Sequence, residues 1–439
     1  MTGPTRRRVA AGLGVGAAAA TLAAALPDAP AARRHTPRTL GFGVRKDAHR
    51  LSSGSDDVVM YCEAVERMRA IARDDPFHPL SWSEHWAQHS IFCATGDFAR
   101  QVHYGWNLLP WHRAYLVSLE QKIRFMLNEP GFALPYWDWA RNPTVPEWFF
   151  GEDNPLDNPT RYQGPGDKLP ADFMDVGPSL RARRWPHFGG RERAPGQLQI
   201  EGTLEQSCYN NVHNWVGGDM ASFDGAGNDP LFQAHHGQVD RLWEAWRAQP
   251  GRAVPEQAAW REGVFWFRDW EGRPSYLSVG DLLDPEALGY RYEDLSFAEA
   301  DLSAPPTLDE GEGTDYGALI LGEAMRARID VAGRGAGRAR VTLNYLRASL
   351  PAQPFQHRLF FVIDGAPRFV GTYTILPIPD LFRGLEDRVV TQTEVPPDVA
   401  SSLVRARDIR VVGQPVRLQG RRTGPAPLPF SGVALTVEA

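Results

Sequence analysis

Asn228-Asp-Pro-Leu-Phe-Gln-Ala-His-His-Gly-Gln-Val-Asp-Arg-Leu-Trp243 decides the fold of this chain. Its period is helical: between about Phe232 and Trp246, His236, Val239, Asp240 and Trp243 return at three- and four-residue steps and share one face. Two further long helices are predicted outside it. From Asp57 onward Val58, Cys62, Val65, Met68 and Ile71 lie on one face with Arg and Glu between them. From Pro110, a good first-turn residue, to about Met126, the stripe is His112, Leu116, Leu119 and Ile123. A shorter helix is expected around His213.

The histidines cluster. Five of the twelve fall between His78 and His112, and three more are His213, His235 and His236. Imidazoles projecting inward from facing helices are how bundles build two-metal centres, and here one group comes from each half of the helical sequence. Imidazole suits Zn, Cu, Fe and Ni alike, so histidine alone does not choose the metal. There is no H-E-x-x-H and no cysteine-rich finger, so the zinc templates fit poorly.

Composition narrows the class. The 439 residues hold 43% hydrophobic and 23% charged residues, an ordinary globular balance that excludes wholesale disorder. Three Cys with no C-x-x-C pair are no disulfide framework, and a net charge of −6 argues against a nucleic-acid partner. Arg6-Arg7-Arg8, an Ala/Gly-rich apolar run to about Leu26 and Ala29-Pro30-Ala31-Ala32 have the layout of a signal peptide of the twin-arginine kind over residues 1–32. The mature chain is then expected to be secreted or extracytoplasmic. No later run approaches the ~18 apolar residues of a membrane span, so no stable membrane insertion is expected after its removal. The sequence sets no oligomeric state.

Pro/Gly-rich sequence fills Arg141 to Gly202, a long connection expected to elaborate a site. An acidic, turn-rich stretch from Ser303 to Thr314 reads as a linker. Beyond it the period becomes two, in Arg340–Tyr345, Arg358–Ile363, Phe369–Ile375, Ile409–Val412 and Val433–Val437. The predicted architecture is a mainly α domain over 33–304, a four-helix bundle with a dinuclear metal core and long loops. An all-β sandwich follows over 305–439.

Several motifs in order make the chain recognisable. They are Val44-Arg-Lys-Asp-Ala-His49, the His103-x8-His112-Arg113 element, Leu134-Pro-Tyr-Trp-Asp-Trp139, Val212-His-Asn-Trp-Val-Gly-Gly218, the Asn228–Trp243 block and Tyr290-Arg-Tyr292. Over about residues 40 to 295 the chain resembles the type-3 copper family of tyrosinases, catechol oxidases and haemocyanins. The resemblance implies two copper ions and the oxidation of small phenols by O2: o-diphenols, o-aminophenols or monophenols, to quinones. A third reading it admits, after oxidation and a divergent member with altered chemistry, is an O2 carrier or copper-binding protein without turnover.

Carried over by position, the copper A ligands are His89, His103 and His112. His89-Ser-Ile-Phe-Cys93 looks like the pattern in which that Cys forms a thioether with the second His, here His103. On copper B, His213 matches the second ligand and His236, four residues before Asp240, the third. Asp240 is a supporting candidate behind that ligand, or a helix-surface partner for Arg241 or Arg247. Glu205 resembles the glutamate that poises a water for phenol deprotonation and Asn210 the Asn that assists it, with Glu201 as a competitor for the role.

The sequence departs from the pattern at Tyr209, four residues before His213, where the first copper B ligand should stand. Copper B is therefore two-His, tyrosine-ligated or empty. The resemblance further implies that the β domain covers the site, without showing which residue does so. Cys62 is expected to be a buried thiol and Cys208 a buried thiol or a soft ligand. His85 is expected to be structural or gating, and His35, His49, His78 and His357 structural or exposed. His187 reaches the centre only through a rearranged loop.

Overall fold

The computed structural model describes residues 39–94, 101–192, 199–297, 304–309, 311–334, 340–347, 355–376, 389–418, 421–422 and 430–438. Residues 1–32, expected to be a signal peptide, and His35 lie outside them, as do parts of the loop before His103 and of the expected linker. Five helices position the site: α1 (Asp56–Asp74), α2 (Trp82–Cys93), α3 (Leu108–Leu127), α4 (Asn210–Val216) and α5 (Leu231–Arg247). No helix among the described residues is long and apolar enough to cross a membrane.

Local chemistry sets their ends. Ser81 caps α2 by accepting from Glu84 N at 3.0 Å. Asn128, in the left-handed conformation at φ 57°, closes α3 while its N–H reaches back to Arg124 O and Phe125 O. Helix α1 buries Val58, Tyr61, Ala64, Val65 and Met68, a stripe turned slightly from the expected one. Cys62 is only half-buried as a result, because the Tyr61 hydroxyl donates to Pro230 O at 2.8 Å and draws that side of the helix against the start of α5.

The connection 141–202 is irregular, with no element longer than the five-residue helix Gly177–Arg181 among its described residues. Strand β1 (Gly43–Arg45) pairs with a late strand of the helical part, so its two ends meet. Strand β2 is Gln199–Ile200, strands β3 (Val264–Arg268) and β4 (Pro274–Ser278) form a hairpin, and β5 (Tyr290–Tyr292) is the partner of β1.

That closure carries a buried charge cluster. Arg45 on β1 gives two hydrogen bonds to Glu120 of α3, at 2.9 and 3.0 Å, and one to Asp240 of α5 at 3.0 Å. Arg113 donates to Asp240 at 2.6 Å, and the hydroxyls of Tyr290 and Tyr292 donate to it at 2.7 and 2.6 Å. Burial pushes the Asp240 carboxyl up, but Arg113 and Arg45 more than offset this and hold it below the usual carboxylate range. The surface-partner alternative for Asp240 is thus corrected. Arg241 pairs with Asp138 and Arg247 with Glu244, because Asp240 points into the bundle where β1, α3, α5 and β5 converge.

The C-terminal part is two four-stranded sheets with two helices, Glu323–Arg334 and Pro397–Leu403, whose Ile329, Val399 and Leu403 enter its core. Its strands are β6 (Thr314–Ala318), β7 (Arg340–Arg347), β8 (Phe355–Ile363), β9 (Ala366–Ile375), β10 (Val389–Glu394), β11 (Ile409–Pro415) and β12 (Phe430–Glu438). The sheet orders are β6-β11-β8-β9 and β12-β7-β10-β2, so one short strand of the helical half joins the second sheet, parallel to β10.

Leu359, Phe361 and Ile363 of β8 face the sandwich core, while Gln356 and Arg358 turn to the helical part. On β9 the register shifts opposite Leu359/Phe360. This bulge lets Val370 and Tyr373 both face the sandwich core and leaves Thr372 and Thr374 facing the helices. There Arg358 and Thr372 both bind Asp172, and Gln356 and Thr374 both bind Asn211.

Asp240→Ala leaves two buried guanidinium groups without their shared anion. It is expected to lower the unfolding free energy of the metal-free protein by about 3–5 kcal/mol in a denaturant titration.

Candidate metal centre

Helix α2 carries His89 and, one turn on, Cys93. The loop before α3 carries His103, followed by Tyr104 in a left-handed conformation at φ 61° that aims the two side chains apart. Helix α3 adds His112. The donor atoms of His89, Cys93, His103 and His112 all lie within 4.8 Å of one another, and all four residues are buried. The second group is His213 of α4 with His235 and His236 of α5, again within 4.8 Å and buried. The groups face each other: the rings of His112 and His236 stack with centroids 4.1 Å apart. Phe232 closes the space between them, 4.7 Å from His89 and 4.0 Å from His236, and Phe223 lies 4.3 Å from His103.

The backbone fixes which nitrogen faces inward. His112 Nδ1 lies 2.7 Å from Leu108 O and His213 Nδ1 2.7 Å from Met220 O. A carbonyl only accepts, so each Nδ1 carries the proton and each Nε2 presents a lone pair to the centre. Burial keeps these rings neutral, lowering His112 to about 3 and His213 to about 4, and driving His89, His235 and His236 well below their usual range. Nε2 of His89 and of His112, and both ring nitrogens of His235, are buried with no hydrogen-bond partner. Buried polar atoms of this kind are normally satisfied, so neutral lone pairs turned into one dry space fit a metal-binding role. A thiol beside three imidazoles suits a soft or borderline ion.

Tyr209 is fully buried, and its hydroxyl lies 3.0 Å from His103 Nε2. His103 Nδ1 faces Gln101 Oε1 at 3.2 Å, an acceptor that also takes the His103 backbone N–H, so Nε2 is the acceptor and the phenol donates. Burial holds that phenol well above its usual range, hence neutral. Glu205 Oε1 accepts from Tyr104 N at 2.8 Å and so ties the His103 loop to the segment before α4. Asn210 Nδ2 donates to Thr374 O at 3.3 Å, and the Tyr104 hydroxyl to Leu376 O at 3.4 Å. The end of β9 therefore lies over the centre, with Leu376 buried in the helical core. Residues 377–388, which follow it, lie outside the described residues.

The other expectations resolve as follows. His85 is in neither group and stacks on Tyr115 at 4.0 Å. Cys208 and His187 are buried outside both groups as well. His49 faces Thr144 Oγ1 at 3.3 Å, and His78 Nδ1 accepts from Leu80 N. His357 is buried on the strand β8. The residue that spacing passed over is His235: the rule of four residues before Asp240 selects one imidazole from the pair, but both enter the group. Its signal was the doubled histidine itself, next to a position that lacks one.

The family model for the common central domain of tyrosinase matches residues 79–199 and 185–249. (+)-Larreatricin hydroxylase of Larrea tridentata is 30% identical over 276 residues, 54% of this chain and 46% of that protein. Polyphenol oxidase E of Solanum lycopersicum is 30% identical over 298 residues, 58% of this chain and 50% of that protein. The chain thus spans about half the length of the curated relatives it matches. Latent apple tyrosinase superposes with a TM-score of 0.69 at 19% identity, over 92% of this chain and 99% of that one, a likeness of fold that includes the β part.

Depressed imidazole pKa values make the metal-free protein acid-sensitive. Below the unfolded value near ~6.5 the unfolded chain takes up protons that His112 and His213 refuse until about 3 and about 4. Stability of the metal-free protein is expected to fall steadily from about pH 6.5 toward pH 4, in urea titrations at several pH values.

Proposed function

We propose that this chain, which resembles the type-3 copper family, oxidises small phenols to quinones with O2. The substrates proposed are o-diphenols or o-aminophenols, with monophenols as a further class. The observation that carries this reading is the pair of buried imidazole groups facing one another across the stacked rings of His112 and His236. Two copper ions held there would pass two electrons to O2 and recover them from the phenol.

In this reading His89, His103 and His112 hold the first ion and His213 and His236 contribute to the second. Cys93 locks the orientation of His103 through a thioether. Asp240, anchored by Arg45 and Arg113, holds α5 and with it His236 at a fixed distance from α3. Glu205 serves as the carboxylate that orders a water for phenol deprotonation, with Asn210 assisting. The hydrogen bond from Asn210 to Thr374 O means that the β part must shift before Asn210 takes up that task. Phe232 and Phe223 keep bulk water from the rings. The copper unit is assigned to 33–304 and the cover to 305–439, with residues 1–32 a leader that exports the folded protein.

A second reading has a specific observation behind it. With Tyr209 in the position of a ligand, the second ion would be held differently, giving specialised oxidation or none, or O2 carriage without product.

Copper-loaded protein is expected to hold about two ions per chain and to consume O2 with a catechol. One ion, or uptake without a quinone, would count against phenol oxidation. Tyr209→His separates the two readings: a rise in diphenol turnover of about tenfold or more marks an impaired natural site, and a fall marks Tyr209 as functional. The thioether predicts that denatured copper-matured protein titrates two thiols where metal-free protein titrates all of Cys62, Cys93 and Cys208, with a mass lower by two hydrogens.

A further inference from the structure

We infer that His235 completes the second metal site, so that His213, His235 and His236 hold one ion and Tyr209 does not ligate it. The inference rests on the reading that the paired imidazole groups hold copper, and it departs from that reading in the choice of ligands.

Four observations converge on it. The donor atoms of His213, His235 and His236 lie within 4.8 Å of one another, close enough for one ion to reach all three. The ring of His235 stands edge-on to His213, with centroids 4.5 Å apart and planes at 87°, and 5.3 Å from His236 at 83°. Three mutually steep rings around one point leave their lone pairs converging instead of stacking. Both ring nitrogens of His235 are buried and have no hydrogen-bond partner, so one of them is free to give its lone pair to an ion.

Finally, the side chain that occupies the ligand position turns its oxygen toward the other group. The Tyr209 hydroxyl oxygen lies 3.0 Å from His103 Nε2, on the side of the first group, a contact that ends once that nitrogen holds an ion, and its ring lies against His235 at 5.4 Å and 27°. Consecutive residues on a helix diverge by about 100° and rarely serve one ion. Here α5 meets α4 so that His213 sits beside both, and an ion beside His213 sees His235 and His236 together.

The exchange of ligands also preserves charge. A tyrosinate would add a negative charge and a hard oxygen to a site otherwise made of neutral nitrogen, favouring Cu(II) over Cu(I). His235 keeps three neutral imidazoles and needs no phenolate at the site.

Metal stoichiometry tests this apart from turnover. After copper loading and removal of loose metal, His235→Ala is expected to retain about half the copper of the wild type, while Tyr209→Phe retains all of it. The reverse pattern, with copper lost from Tyr209→Phe and kept in His235→Ala, overturns the inference. A second measurement does not depend on how His235→Ala folds. In a His89→Ala/His112→Ala protein, copper is confined to the second group, and pulsed EPR of the Cu(II) form should count three imidazoles, with no phenolate-to-copper absorption band. Two imidazoles, a phenolate band or no bound Cu(II) overturns it. If phenol oxidation is the part that is wrong, these counts stand and O2 uptake with a catechol is absent. If the ligand set is wrong, the counts fail whatever the turnover.

Discussion

Six imidazoles share one interior that excludes water, and none of them can afford a charge there. That constraint organises the fold around it. A cationic ring in such a space would face desolvation and five neighbours prone to the same charge, so every ring stays neutral and every lone pair needs a direction. The helices supply the directions. Leu108 O and Met220 O take the Nδ1 protons of His112 and His213, and Gln101 takes that of His103 while gripping Cys93 O behind it. Charge is exiled to the opposite side of α3 and α5, where Arg45, Arg113, Glu120 and Asp240 neutralise one another. One helix pair thus has a neutral polar face toward the centre and an ionic face behind it.

The parts of this arrangement that were legible in sequence are those set by short-range periodicity. The stripe around His112 places α3 within two residues of its observed ends, and the Phe232–Trp246 pattern differs from α5 by one residue at each end. Alternation likewise located β7, β8, β9, β11 and β12, falling short mainly at their ends. Strand and helix periods survive because each depends on which neighbours along the chain share a face.

What the sequence hid depends on contacts between distant residues. Asp240 has two arginines on its own helix, and only the tertiary structure shows that its partners are Arg45 and Arg113. Tyr209 stands four residues before His213, yet its hydroxyl faces His103, more than a hundred residues earlier. The choice between His235 and His236 looked like a choice because the spacing to Asp240 picks a face, whereas α4 approaches from a direction that takes in both. Contact of the β part with Asn210 was equally out of reach, since Asn210 donates to a backbone carbonyl, that of Thr374, 164 residues later in the chain.

Strand β2 belongs to the helical half by sequence and to the second sheet by hydrogen bonding. The covalent connection between the two parts is therefore not their only one. A chain nicked within the turn-rich stretch near 304–309 would still have β2 clasped beside β10, and Asp172 and Asn211 gripping β8 and β9. The fragments would migrate together until something competed for that shared sheet edge. Proteolysis alone would loosen the cover without releasing it, and exposure of the centre would be a matter of equilibrium between two noncovalently held pieces.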